Sequence, residues 1–132
     1  MNIGLIADDS KKTLMQNFCI NYRSILSRHS LYATGTTGRL IEEAAALNVN
    51  KYLEGALGGE RQLASQIENN DMDLMFYFRD PDSRRPAAIN LQRAIYLCDA
   101  YNIPLATNLS TAELLISSLD HGDLEWREAY HS

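Results

Sequence analysis

Short apolar runs of strand length alternate along the chain with segments whose apolar residues recur at helical spacing. Ile3–Ala7, Leu31–Thr34, Lys51–Leu53, Leu74–Arg79 and Leu105–Thr107 read as strands. Between them, helical periods are set by Leu14, Phe18, Tyr22 and Ile25, and by Leu40, Ile41, Ala44 and Ala45. Three more come from Leu63 and Ile67, from Leu91, Ala94, Ile95 and Cys98, and from Ala112, Leu115, Ile116 and Leu119. Pro86 suits a helix entry, and Pro104 a strand start after a loop. Strands alternating with helices predict an α/β fold: a single three-layer domain, residues 1–132, with a mostly parallel central sheet of about five strands and helices on both faces. Phe76 and Phe78, alternating with Met75 and Tyr77, read as a buried central strand and not as a stacking platform.

In open sheets of this kind, ligands sit beyond the carboxyl ends of the strands. That rule collects Asp8, Asp9 and Lys12 after the first strand, Thr34 to Gly38 after the second, and Glu54 and Gly55 after the third. Glu60 opens the next helix, Asp80 follows the fourth strand, and Thr107 and Asn108 follow the last. Within this set, Thr34-Gly35-Thr36-Thr37-Gly38 carries the sharpest chemistry. A Gly/Thr turn that leaves a strand and opens a helix offers unpaired backbone N–H groups, the positive end of the helix dipole and hydroxyl donors. Glycine lets the backbone curl round a small anion. Lys12 gains nothing from the dipole in the first turn of a helix, so a bound anion accounts for it better than a solvated surface does.

Composition narrows the class. With 132 residues, 45% hydrophobic and 22% charged, the chain reads as one soluble globular domain. No apolar run approaches the roughly 18 residues of a membrane span, so no membrane partner is expected. Met1-Asn2-Ile3-Gly4-Leu5 reads as a first buried strand and not as a signal peptide. A net charge of -5 argues against a nucleic-acid partner. Cys19 and Cys98 fall in helical patterns and read as buried thiols of a cytoplasmic protein, without a disulfide or metal pairing. His29, His121 and His131 have no spacing that suggests a shared ligand.

Nearly the whole chain resembles the methylglyoxal synthase family. The resemblance is carried by Asn2-Ile3-Gly4-Leu5-Ile6-Ala7 with Lys11-Lys12, by Leu31 to Ala44, and by Gly55-Ala56-Leu57-Gly58-Gly59. It continues in Phe78-Arg79-Asp80-Pro81, Asn102 to Asn108, Thr111 to Ile116 and Gly122 to Glu128. It implies a fold and a chemistry: a proton is removed next to the carbonyl of dihydroxyacetone phosphate, and phosphate is expelled from the enediolate. This needs a phosphate cradle, a carboxylate base and an electrophile on the carbonyl oxygen. The resemblance assigns the cradle to Lys12, Thr34, Gly35, Thr36, Thr37 and Gly55, and places Glu60 where the family has an aspartate base. It implies a homohexamer with no cofactor and no metal, and a tail in which Trp126 and Arg127 cap a neighbour's site.

The departures from the family pattern cluster at the catalytic positions. Ala87 stands where the family has a histidine, Asn90 where it has an aspartate, Asp8 where it has a second histidine, and Glu54 where it has a small or neutral residue. Arg84 and Arg85, in the loop leading to Ala87, are candidates to reach a ligand's phosphate, with a solvated loop as the alternative. Extra carboxylates beside a phosphate site either repel the ligand or pair with Lys12 or with an arginine of a neighbouring subunit.

Three functional readings follow. The preferred expectation is a binder of a small phosphorylated metabolite or nucleotide-like ligand with catalysis lost or strongly impaired. The alternative is a working methylglyoxal synthase with Glu60 as base and Asp80 assisting. The third is a magnesium- or calcium-type site made from Asp8, Asp9, Glu54, Glu60 and Asp80.

Overall fold

A computed structural model describes residues 1–54, 57–83 and 89–130, the side chains of 89–91 and 129–130 excepted. Gly55, Arg84, Arg85, Pro86, Ala87 and His131, and the side chain of Asn90, therefore lie outside the described residues.

The five strands are β1 (Asn2–Ala7), β2 (Ser30–Ala33), β3 (Val49–Lys51), β4 (Leu74–Phe78) and β5 (Leu105–Ala106). They form one sheet in the order β3-β2-β1-β4-β5, and every pairing is parallel. Helices α1 (Lys12–Asn21), α2 (Arg23–Leu26), α3 (Gly35–Ala45), α4 (Gly59–Glu68) and α5 (Ile89–Ala100) make the connections, and α6 (Leu109–Asp120) follows the last strand. The strand order reverses direction at β1, because β2 lies on one side of it and β4 on the other. At such a reversal the connecting helices leave to opposite faces and open a crevice at the carboxyl ends of the two strands.

Each face of the sheet has its own apolar core. Ile3, Leu5 and Ala7 of β1 join Phe76 and Phe78 of β4 and the buried residues of α1, α3 and α6. Phe18 of α1 packs its ring 5.1 Å from Phe76 and 5.4 Å from Phe78, centroid to centroid. On the opposite face, Ile6, Met75 and Tyr77 meet Leu63, Ala64 and Ile67 of α4 and Ala94, Leu97 and Cys98 of α5. The strict alternation of these sets along β1 and β4 follows from the period of two in a strand. Cys19 and Cys98 lie one in each core, both unpaired, and burial pushes each thiol up to about 12.

Several element boundaries differ from the sequence reading, three of them with consequences. The third strand is Val49–Lys51 instead of Lys51–Leu53. Val49 supplies the buried side chain, whereas Leu53 is 53% exposed and its N–H is taken by the Gln62 side chain at 2.8 Å. Thr34 is not the end of a strand but the N-cap of α3, so the Gly/Thr turn is itself the first turn of that helix. The period from Leu14 to Ile25 spans two helices, with the break at Tyr22, whose φ of -112° and ψ of 25° leave the helical region.

The tail, a short 3-10 turn over Glu125–Tyr130, is fastened by Arg127, only 4% exposed. Its guanidinium donates to the carbonyl of Asn102 at 2.5 Å and faces the Asp73 carboxylate at 3.8 Å. Asp73 precedes β4 and accepts from the backbone N–H of Asn2 at 2.8 Å. Arg127 therefore sits at the amino end of the sheet. Within its own chain it anchors the tail and does not join the ligand rim; the place expected of it was at a neighbouring subunit's site.

Candidate active site

The cradle is built where β1, β2 and α3 meet. Thr34 has extended backbone (φ -65°, ψ 157°), and the chain enters the helix at Gly35. The N–H of Gly35 donates to the Leu53 carbonyl at 3.3 Å and that of Gly38 to the Thr34 carbonyl at 2.8 Å. The N–H groups of Thr36 and Thr37, at the second and third helical positions, have no intrahelical acceptor. The ammonium of Lys12 donates to the Thr37 hydroxyl at 3.0 Å and to the Ala7 carbonyl at 3.1 Å, with Asp9 3.8 Å away. A cation, a hydroxyl and a helix N-terminus thus converge at the end of β1; these are the positions that the sequence reading proposed for a phosphate cradle.

A second feature was not legible in the sequence. The Glu54 carboxylate accepts a very short hydrogen bond from the Thr36 hydroxyl, and Arg39 of the same chain donates to its other oxygen at 2.5 Å. These two bonds, the Thr36 one first, hold the Glu54 carboxyl below the usual carboxylate range. Glu54 therefore pairs neither with Lys12 nor needs an arginine from another subunit. Arg39 stands three residues beyond Thr36 on α3, a spacing that puts both on one helix face. That was the available clue.

Beside the cradle lies a carboxylate constellation at the β1/β4 reversal. Asp8 donates its N–H to the Phe78 carbonyl at 3.0 Å. Its carboxylate accepts from the Tyr77 hydroxyl at 3.0 Å and from the N–H of Asp80 at 2.7 Å. Glu60, in the first turn of α4, is half-buried, and its carboxyl is raised above the usual range by burial and then by the negative charge of Asp8. A carboxyl raised toward the working pH is better matched to proton abstraction than an ordinary one. Asp80 has another duty. Its carboxylate accepts from the Ser10 hydroxyl at 2.8 Å and from the Asp82 N–H at 2.9 Å, which keeps it below the usual range. It is the backbone of Asp80 and not its side chain that reaches Asp8.

The Gly58-Gly59 pair sets the position of Glu60. Gly58 has a φ of 112°, and a Cβ on Gly59 would lie 1.9 Å from the Leu53 carbonyl oxygen. Only glycine lets α4 start this close to the loop after β3.

The site thus gathers Asp8, Lys12, Thr34, Gly35, Thr36, Thr37, Glu54, Glu60 and Asp80 at one end of the sheet. It leaves Arg127 at the other, and Gly55, Arg84, Arg85 and the Asn90 side chain lie outside the described residues. The five carboxylates that the third reading offered to a metal share this end of the sheet but do not converge as ligands. Among the described residues no cluster of three or more His, Cys, Asp or Glu side chains is arranged to hold a metal ion. Tyr77 and Arg39 are the residues that the sequence reading missed. Asn108 caps α6, accepting from the Thr111 N–H at 3.0 Å.

A doubly wound parallel sheet, with a lysine and a Gly/Thr helix start at the carboxyl ends of its strands and a raised carboxyl at the same end, defines the class as a small α/β domain with a polar crevice at its strand reversal. Comparison with known proteins is specific within that class. The profile of the MGS-like domain matches residues 15–107. The methylglyoxal synthase of Caldicellulosiruptor saccharolyticus is 56% identical over 128 residues, covering 97% of this chain and 91% of that one. The methylglyoxal synthase of Clostridioides difficile is 46% identical over 132 residues, covering 100% and 96%. A crystal structure of methylglyoxal synthase from Elizabethkingia anophelis superposes with a TM-score of 0.83 at 37% identity, over 89% of this chain and 77% of that one. The chain belongs to the MGS-like family.

Proposed function

We propose that the protein converts dihydroxyacetone phosphate to methylglyoxal and inorganic phosphate. The observation that carries this reading is the half-buried Glu60 carboxyl, raised by burial and by Asp8, at the same end of the sheet as the Lys12–Thr37 cradle. Relatives that are 46% to 56% identical and bear the name methylglyoxal synthase support it. In this scheme Lys12, the Thr37 hydroxyl and the first-turn N–H groups of α3 hold the substrate phosphate. Glu60 takes the proton from the hydroxymethyl carbon, and the electron pair of that C–H bond forms the enediolate. The bond between the other carbon and the phosphate ester oxygen then breaks. Its electrons leave with phosphate, which takes up the proton held by Glu60. The former hydroxymethyl carbon becomes the aldehyde as its hydroxyl proton passes to the enediolate oxygen. The resulting enol takes a proton at its CH2 carbon while losing that of its hydroxyl to give methylglyoxal. With alanine at position 87 the family's imidazole is gone, so turnover about 10²–10³ below that of a fully equipped site is expected.

One observation favours a second reading, in which a phosphorylated or nucleotide-like ligand is bound and not turned over. Glu54 occupies the Thr36 hydroxyl that a phosphate would use. Phosphate release from dihydroxyacetone phosphate, measured for the wild type beside Glu60→Ala, separates the two. Release that Glu60→Ala abolishes supports the enzyme. Thermal stabilisation by the same compound without release supports the binder.

The reading goes with a cytoplasmic homohexamer. The unpaired thiols of Cys19 and Cys98 suit a reducing compartment, and exposed Leu57, Tyr96 and Leu114 are apolar surface that assembly would cover. Among the described residues no helix is long and apolar enough to cross a membrane.

A further inference from the structure

β4 reads Leu74-Met75-Phe76-Tyr77-Phe78, and all five side chains are buried. In such a strand a phenylalanine would fill the place of Tyr77 equally well, and a buried phenol needs a partner for its hydroxyl. The partner is Asp8. The register sets Ile6 opposite Tyr77 and Ala7 opposite Phe78, so Asp8 emerges from β1 where β4 ends. β4 and the loop after it then grip Asp8 three times. The Phe78 carbonyl accepts from its N–H at 3.0 Å, the Asp80 N–H donates to one carboxylate oxygen at 2.7 Å, and the Tyr77 hydroxyl donates to the other at 3.0 Å. With both oxygens held, the Asp8 carboxylate has one orientation, and Glu60 stands one helical turn before Leu63 and Ala64 of α4, which pack in one cluster with Ile6 and Tyr77.

We propose that Tyr77 is a positioning residue for the Glu60 base: its hydroxyl pins the Asp8 carboxylate in the place from which Asp8 acts on Glu60. The proposal rests on the enzymatic reading for its consequence, though not for its geometry. Burial, then the bond and the charge from Asp8, push the Tyr77 phenol far up, so it remains a donor throughout the working range. Among the described residues, the charged groups around this pair include Asp8 itself with Asp9 and Lys12 beside it, Glu60 on α4, and Arg79 and Asp80 after β4. The Arg79 guanidinium lies 5.8 Å from the Tyr77 ring centroid.

The test is a ¹³C NMR titration of the Glu60 carboxyl in the wild type, Tyr77→Phe and Asp8→Asn, with the pH profile of phosphate release recorded on the same samples. Tyr77→Phe removes one oxygen from a buried apolar setting and keeps the fold. The Glu60 midpoint is expected to fall toward the ordinary glutamate value in both variants. In Tyr77→Phe the acid limb of the kcat/KM profile should move down with it. In that variant kcat is expected to drop about tenfold, as for a slightly misplaced base, while KM changes less than twofold because the cradle is untouched. A Glu60 midpoint unmoved in either variant overturns the proposal, whatever the activity. A wild type that releases no phosphate overturns the enzymatic reading alone, because the titration still reads whether Tyr77 sets Asp8 against Glu60.

Discussion

Glu54 and Arg39 form an ion pair at 2.5 Å that closes over the first turn of α3, with the Glu54 carboxylate also holding the Thr36 hydroxyl. The loop after β3 has therefore placed an anion of its own at the cradle. Two anions this close repel. Both Glu54 and Arg39 are substantially exposed, so solvent and salt screen most of this. Glu54→Gln is expected to tighten inorganic phosphate binding about tenfold in calorimetry at low salt. The gain should shrink as salt rises toward the concentrations at which surface charges are screened.

Lys12 is the fixed cation of the cradle, and its replacement should act on binding before chemistry. A hydrogen bond to a charged group contributes about 1.5–3 kcal/mol. Lys12→Met is therefore expected to weaken phosphate binding, and to raise KM for dihydroxyacetone phosphate, by about 10- to 100-fold. Lys12 also donates to the Ala7 carbonyl, so thermal unfolding of the variant should show a modest loss of Tm.

Glu60 links the site to stability. Its carboxyl is raised in the folded chain, so the fold holds this proton more tightly than the unfolded chain does. The resulting stabilisation is full below the ordinary glutamate value and is lost as pH rises through the folded one. At neutral pH the ionised carboxylate beside Asp8 is a net cost. Glu60→Gln is expected to raise Tm at pH 7 by about 1–2 °C, small because the group is half-exposed. The gain should vanish in scans at acid pH, while phosphate release is abolished.

Arg127 and Asp73 are both about 5% exposed and face each other at 3.8 Å, so Arg127→Met takes a buried positive charge away from a buried carboxylate. Breaking such a pair costs about 3–5 kcal/mol. Arg127→Met should therefore lower Tm by about 10 °C or more, with kcat/KM per folded molecule unchanged. A raised KM at unchanged Tm would instead mean that the arginine serves a neighbour's site.

The cradle could be read from the sequence because its parts are contiguous. A strand end, two glycines, three threonines and the start of an amphipathic helix run from Leu31 to Ile41 without a break. The parallel α/β architecture was legible for a similar reason, since the periods of two and of helical spacing are properties of single segments. Glu60 was legible through the Gly-Gly pair before it. The β3 boundary was missed because the choice between Val49 and Leu53 as the buried residue depends on pairing with β2.

What the sequence determined by itself is the local chemistry: which segments are strands, where a helix begins, and that a threonine-rich turn and a lysine can hold an anion. What only the tertiary structure decided is which distant groups share a bond. Asp8 and Tyr77 are 69 residues apart, Thr36 and Glu54 18, and Asp73 and Arg127 meet across the sheet from the tail. Each of these pairs depends on strand order and register, and those are set by the burial of two apolar faces over the whole chain, with one residue of slip enough to turn Tyr77 to the wrong face.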